Sequence, residues 1–290
     1  MNGIVVIDKP AGWTSHDVIA KLRGALKIKK IGHGGTLDPM ATGVLPVFIG
    51  RATRAVEFFE NAEKEYMAGI KLGIVTDTQD ITGNVLSERE ANITENDLLT
   101  VLKQYRGEQK QIPPMYSAVK KDGRKLYELA RKGLEIPRQP RDIFISELEL
   151  LDFQKESSLR IVCSKGTYIR TLCHDIGASL GCGGTLSKLR RTRAGAFTID
   201  MAHALDDVLA MALTDSVSSI LKPVDSIFDG YPSVIITESE VLKAKNGALC
   251  NAPEIIENGR YKVYAPDGEF LLLGEAEENK MRTVKSFFEV

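Results

Sequence analysis

Short apolar runs and capped amphipathic stretches follow one another along this chain, and their periods predict a mixture of strands and helices. Residues 3–7 are apolar without interruption, as in a strand buried on both faces, and Lys9-Pro10-Ala11-Gly12 is a turn that ends it. Thr14, with Asp17 three residues on, predicts a capped helix whose inward side is Val18, Leu22 and Leu26. Residues 44–49 predict a second buried strand. Tyr66, Ala68, Ile70, Leu72 and Ile74 alternate with Met67, Gly69, Lys71 and Gly73, so this strand has two distinct faces. Residues 94–105 repeat the capped-helix pattern with Leu98, Leu99, Val101 and Leu102 inward. Strands are predicted again at 143–153 and 159–162, and helices at about 169–180 and 201–211.

Two stretches break this rhythm. Residues 111–141 are basic, hold four prolines and contain one short predicted helix at 124–132 ended by Gly133, so the region of about 109–141 reads as an insertion reaching out from the core. Lys222-Pro223-Val224-Asp225 and Gly230-Tyr231-Pro232 have linker composition, and beyond them lie short strands and turns, with a hairpin signal around Asp267-Gly268. The expected division is a domain at 1–230 and a small β domain at 231–290. Without strict strand-helix alternation the expected class is α+β.

Composition narrows the function. The 290 residues are 43% hydrophobic and 27% charged, a globular balance. The longest apolar stretch falls far short of the roughly 20 residues of a membrane span, and the opening MNGIVVIDKP is not a signal peptide pattern. Four scattered cysteines without a CxxC pair read as free thiols in a reducing cytoplasm, and with four histidines they give no metal-site pattern. Net charge is only −1, yet residues 103–141 carry eleven Lys or Arg against four Asp or Glu, and residues 155–193 carry eight against two. Two basic blocks on a neutral chain suit either a solvated surface or an anionic polymer. The last sixty residues are acidic by three, a poor balance for gripping phosphates.

Individual chemical signals are weaker. Gly32-x-Gly34 begins a dinucleotide fingerprint, but Leu37 stands where its third glycine belongs, and no GxxxxGK[ST] occurs. Asp38, between a glycine loop and a proline, reads as an Asx-turn cap, a catalytic carboxylate or a loop acid. His33 reads as a loop histidine and Tyr66 as a strand aromatic. Arg170 reads as a surface arginine or a buried anion partner, and Leu189-Arg190-Arg191-Thr192-Arg193 as an exposed basic loop or a phosphate contact.

Several segments together resemble the TruB family of tRNA pseudouridine synthases. They are Asp8-Lys9-Pro10-x-Gly12-x-Thr14-Ser15-His16-Asp17; Gly32-His33-Gly34-Gly35-Thr36-Leu37-Asp38-Pro39-x-Ala41-Thr42-Gly43-Val44-Leu45; Lys64-Glu65-Tyr66; Thr76-Asp77-Thr78-x-Asp80-x-x-Gly83; Ile112-Pro113-Pro114-Met115-Tyr116-Ser117-Ala118-Val119-Lys120; Lys165-Gly166-Thr167-Tyr168-Ile169-Arg170; and Leu189-Arg190-Arg191-Thr192-Arg193. The tail resembles, more loosely, a PUA RNA-binding barrel. The resemblance implies a largely antiparallel mixed sheet with flanking helices, and conversion of tRNA uridine 55 to pseudouridine after base flipping, with no cofactor and no metal.

It further implies that Asp38 is the catalytic aspartate, paired with Arg170, which lowers its pKa. Tyr66 would stack on the flipped base and is a candidate general base, Leu189 would pack on the other side, and Tyr168 would line the pocket. Lys9 and Pro10 would buttress the catalytic loop, and His33 would stack in the T loop. Lys120, Lys121, Arg124, Arg190, Arg191 and Arg193 would hold the tRNA backbone. The expected partner is the tRNA T arm alone, bound by a monomer with no protein partner. Gly34 stands where threonine or alanine also occurs in the family, which implies a slightly more flexible loop. The competing readings are a guide-RNA-dependent pseudouridine synthase and a tRNA-folding factor whose chemistry is dispensable.

Overall fold

The computed structural model describes residues 1–121, 123–252 and 257–288, with the side chains of Lys120 and Lys121 outside that set. Strand β1 (Gly3–Lys9) leads into helix α1 (Ser15–Leu26). The predicted cap is present: the Asp17 amide donates to Thr14 Oγ1 at 3.0 Å and the Thr14 amide to Asp17 Oδ2 at 2.9 Å. Strands β2 (Ile31–His33) and β3 (Thr42–Ile49) flank the glycine-rich loop. A short helix α2 (Val56–Phe59) precedes β4 (Lys64–Leu72) and the hairpin β5 (Ile74–Thr76) and β6 (Val85–Glu88).

Helix α3 (Glu95–Gln104) and strand β7 (Gly107–Gln111) come next. The chain then leaves the sheet through the small strands β8 (Lys120–Lys121) and β9 (Arg124–Lys125) and helix α4 (Leu126–Ala130). It returns as β10 (Arg141–Asp152), whose Arg141 pairs with Gln111, so the excursion starts and ends at one point of the sheet edge. Strand β11 (Glu156–Cys163), helix α5 (Ile169–Ser179), strands β12 (Gly184–Ala194), β13 (Phe197–Thr198) and β14 (His203–Ala204), and helix α6 (Leu205–Leu213) complete this part.

Among the described residues these strands form a ten-stranded mixed sheet with the main path β14-β1-β3-β12-β4-β11-β10-β7, β2 beside β3 and β13 beside β12. Only the β1·β14 and β3·β12 pairings are parallel. The class is α+β, as expected. Both faces of the central strands are covered, which explains the unbroken apolar run at the start of the chain. Val5 and Ile7 point to a core shared with α1, α3, α5 and α6, while Ile4 and Val6 point to a second core on the opposite face.

That second core joins the tail to the sheet. Strands β15 (Ser233–Ile235), β16 (Cys250–Asn251), β17 (Gly259–Tyr264), β18 (Phe270–Glu277) and β19 (Lys280–Ser286) make a separate PUA-like sheet, with helix α7 (Glu238–Lys245) after β15. Leu273 and Phe287 from this sheet share the second core with Phe48, Phe59 and Phe197. Phe228 is the keystone, 2% exposed, with ring centroids 5.4 Å from Phe58, 5.7 Å from Phe287 and 6.1 Å from Phe270. No helix among the described residues is long and apolar enough to cross a membrane.

Four expectations are corrected. The basic segment 189–193 is no loop: it lies in β12, between β3 and β4 at the centre of the sheet. Bulges between Leu186 and Lys188 and between Arg191 and Arg193 break the alternation that would have revealed it. The helix expected at 201–211 starts later, because His203 and Ala204 pair with β1. The helix of the insertion is shorter than expected, since Arg124 and Lys125 belong to a hairpin. Leu99 is exposed, and only Leu98, Val101 and Leu102 of α3 are buried.

Replacing Phe228 by alanine is expected to cost about 3–5 kcal/mol, because it removes a ring wedged between the two sheets. Urea unfolding measures this, and a loss below about 1 kcal/mol would contradict the shared core.

Candidate active site

Asp38 sits on the loop between β2 and β3, and its position is set by neighbours distant in sequence. Ser15 Oγ, at the start of α1, accepts from the Leu37 amide at 2.8 Å and donates to the Leu37 carbonyl at 3.1 Å. Pro39 carries the turn after Asp38; its carbonyl accepts from the Gly12 amide at 2.8 Å and from Lys9 Nζ at 3.4 Å. Lys9 is fully buried and also donates to the carbonyls of Pro10 at 2.8 Å and Trp13 at 2.6 Å. Burial pulls its amine down to about 8. Lys9 therefore ties the end of β1, the start of α1 and the Pro39 turn together.

Arg170, in the first turn of α5, faces Asp38 with Nε 2.9 Å from Oδ2. The N–H is poorly aligned for a hydrogen bond, so the contact is one of charge. The other guanidinium nitrogens donate to the carbonyls of Thr78 at 3.1 Å and Tyr116 at 2.8 Å, and Nη1 lies 3.7 Å from Asp80 Oδ2. Asp80 is itself held by the Thr82 amide at 3.0 Å and the Thr78 hydroxyl at 2.9 Å. Burial is the largest influence on Asp38 and raises its pKa above the ordinary 3.8. Arg170 opposes this most strongly, and the Asp80 charge adds to the rise. The expected lowering by Arg170 is present but outweighed. At 36% side-chain exposure the carboxylate still has an open side.

Tyr66 of β4 lies within electrostatic reach of Asp38, and β12 pairs alongside β4. Tyr66 and Leu189 are each 8% exposed, and Leu189 pairs with Ala68, two residues along from Tyr66. Burial raises the Tyr66 pKa above 10, which keeps the phenol neutral and works against a phenolate base. Tyr168 precedes α5; its amide donates to Gln111 Oε1 at 2.8 Å and its carbonyl accepts from Gln111 Nε2 at 3.0 Å. His33 packs edge-on to His16 with centroids 5.7 Å apart, and burial pushes its imidazole down to about 4, so the ring is neutral and suited to stacking.

The expected phosphate contacts divide. Arg191 is 1% exposed, so its assignment to the tRNA backbone is corrected: Nε donates to the Val44 carbonyl at 2.7 Å and Nη2 to the Gly35 carbonyl at 3.1 Å, directly across the ladder from Tyr66. Arg190 forms a two-bond pair with Asp8, at 2.7 and 3.1 Å, and keeps 41% of its side chain exposed. Arg193 lies 3.9 Å from Glu65 and 4.0 Å from Glu63. Arg124 is exposed on the insertion, and the side chains of Lys120 and Lys121 lie outside the described residues. Gly34 does not loosen its loop, because the Phe59 ring fills the space beside it.

Sequence reading gave no role to Asp80, Gln111, Tyr116 or Ser15, although the first sits in the quoted Thr-x-Asp-x-x-Gly run. Ser15, Asp80 and Gln111 are buried polar side chains whose partners lie in other segments, and Tyr116 contributes its backbone carbonyl, neither of which a local pattern reveals. A cavity of about 670 Å³, lined by Lys71, Leu72, Arg89, Phe153 and neighbours, shares no residue with this site. Arg191→Met is expected to destabilise the chain by about 3 kcal/mol, since it leaves the buried Val44 carbonyl and the half-buried Gly35 carbonyl without this donor. Urea unfolding checks this, and a loss below about 0.5 kcal/mol would place Arg191 outside the framework.

Comparison with known proteins fits this geometry. Residues 23–169 match the model of the TruB family pseudouridylate synthase N-terminal domain, and residues 170–229 that of the tRNA pseudouridylate synthase B C-terminal domain. The chain is 44% identical over 290 residues to tRNA pseudouridine synthase B of Syntrophomonas wolfei, covering 98% of this chain and 96% of the relative. It is 41% identical over 295 residues to the protein of the same name from Clostridium kluyveri, covering 99% and 100%. Among solved structures, a chain of a Cbf5-Nop10-Gar1 complex superposes with a TM-score of 0.75 at 29% identity, covering 99% of this chain and 85% of that one. A chain of an H/ACA RNP bound to a substrate RNA containing 2′-deoxyuridine gives 0.75 at 28% identity, with the same coverage. Family models over the region that carries Asp38, Tyr66 and Arg170, and full-length relatives above 40% identity, show that the chain belongs to the TruB family of pseudouridine synthases, which are isomerases.

Proposed function

We propose that this enzyme converts the T-loop uridine 55 of tRNA to pseudouridine, with Asp38 as nucleophile and without cofactor, guide RNA or protein partner. The observation that carries the reading is one carboxylate on a firmly held loop, 2.9 Å from a buried guanidinium on one side and open on the other. The N1–C1′ bond breaks, Asp38 bonds to C1′ or assists glycal formation, the uracil turns, and C5 bonds to C1′. The C5 proton is lost as N1 regains one. No water is consumed, so the second carboxylate that a glycosidase needs for water activation is not required.

Arg170 keeps Asp38 aimed and helps hold its charge against burial. Tyr66 and Leu189 supply the two apolar surfaces between which the uracil lies, and Tyr168 lines the pocket. The neutral His33 ring stacks in the T loop once the target nucleotide has flipped out, at a cost of about a few kcal/mol. Arg124 and the rest of the basic insertion hold the T-arm backbone, together with Arg190 and Arg193 as far as their acidic partners release them. The acidic tail sheet serves mainly to complete the second core. Structural neighbours described in complexes with partner proteins favour one competing reading, a guided enzyme.

Release of tritium from a C5-labelled tRNA transcript, with no other RNA or protein present, tests the proposal, because bonding at C5 must expel that hydrogen. Wild type is expected to release it. Asp38→Asn is expected to release none while binding tRNA within a few-fold, since no basic residue changes. Silence from wild type with tRNA binding intact would favour the guided enzyme, and pseudouridine from Asp38→Asn would overturn the nucleophile.

A further inference from the structure

We propose that Phe59 is a positioning residue for this reaction: its ring is a wedge that sets the place of the Asp38 loop against the end of β12. The proposal deepens the synthase reading and rests on it. Phe59 ends α2, is 4% exposed, and its ring lies in a slot between two glycines. A Cβ on Gly34 would meet Phe59 Cδ1 at 2.4 Å and Cε1 at 2.7 Å, and a Cβ on Gly195 would meet Cε2 at 2.9 Å. Gly34 belongs to the catalytic loop, and Gly195 is the turn that follows β12. One ring thus touches the two segments that supply the nucleophile and the base-packing Leu189.

The wedge cannot slide. Its edges are held by Phe48 and Phe197, with centroids at 5.6 and 5.5 Å. The chain after it is fastened by the buried Lys64, whose Nζ donates to the carbonyls of Glu60 at 2.9 Å and Ala62 at 2.6 Å. The loop cannot yield freely either. The Gly34 amide donates to the Pro46 carbonyl at 2.9 Å, Gly35 is tied to Arg191, and Leu37 is tied to Ser15. Carbon contacts settle near 3.5–4.0 Å, so a methyl at Gly34 forces a shift of about 1 Å either in the ring or in the loop. Gly34 has no left-handed φ, so alanine is excluded there not by its own backbone but chiefly by the Phe59 ring, with Phe48 Cε2 a milder contact at 3.0 Å. That makes the contact testable by exchange of size.

Gly34→Ala, Phe59→Leu and the double variant are compared with wild type in single-turnover pseudouridine formation at saturating tRNA, alongside tRNA binding and thermal unfolding. Gly34→Ala is expected to slow the chemical step about 10- to 100-fold with tRNA binding within two-fold, because displacements near 1 Å are costly to a preorganised site. Phe59→Leu in the same chain, which makes room for the methyl, is expected to restore at least half of the lost rate on a logarithmic scale. A full rate in Gly34→Ala, or a double variant as slow as Gly34→Ala, would overturn the wedge. Should Gly34→Ala not fold, Phe59→Leu alone decides: a slower step with unchanged binding supports the wedge and an unchanged rate refutes it. A wild type inactive on tRNA would instead overturn the synthase reading, which keeps the two failures apart.

Discussion

The contact on which the site depends is the ion pair between Asp38 and Arg170, set in a position where neither charge is fully solvated. Removing an ion from water costs several kcal/mol, and a single opposite charge rarely restores it without further bonds. Here the guanidinium is completed by the carbonyls of Thr78 and Tyr116 and balanced by Asp80. Four segments distant in sequence therefore meet at one side chain: the glycine loop, the turn after β5, the start of the insertion and the first turn of α5. The insertion is anchored at its root by the same guanidinium that faces Asp38, which couples the segment proposed to hold RNA to the carboxylate proposed to act on it.

A second tier of buried cations ties the segments around this pair together. Lys9, Lys64 and Arg191 are 0%, 7% and 1% exposed, and the hydrogen bonds of all three go to backbone carbonyls of the segments around the loop. Burial pushes both lysines down to about 8, the mark of charges placed for their bonds and not for their solvation. Such groups fix a loop more tightly than apolar packing does, because each lost bond strands a carbonyl away from water. The aromatic core beneath the sheet adds the matching steric constraint, and through Phe228 and Phe287 the tail sheet contributes to it.

Much of this was legible in the sequence where one physical rule acted alone. The capped helices at Thr14 and Thr94 follow from local hydrogen bonding, and the strand at Tyr66 from simple alternation. Asp38, Arg170 and Tyr66 were singled out only through family resemblance, since the residues alone favoured a turn cap for Asp38, a surface arginine or an anion partner for Arg170, and a strand aromatic for Tyr66. The strand at 184–194 was hidden because two bulges disturb its period and because its central side chain, Arg191, is charged yet buried. Asp80 and Gln111 stayed invisible for a related reason: their partners lie in other segments, Arg170 for the one and the Tyr168 backbone for the other, and a one-dimensional pattern does not contain that meeting.

The central claim is that Asp38 acts as an anion whose charge is set by burial against Arg170. Only the ionised form attacks, so a raised pKa means that activity is lost as pH falls through a value above the ordinary 3.8. The most direct measurement is the pH dependence of the single-turnover rate at saturating tRNA for wild type and Arg170→Gln. The account predicts an acid limb above 3.8 in wild type and a higher one in the variant, because the strongest influence lowering the pKa is gone. A wild-type limb at or below 3.8, or a limb that does not move in Arg170→Gln, would contradict it.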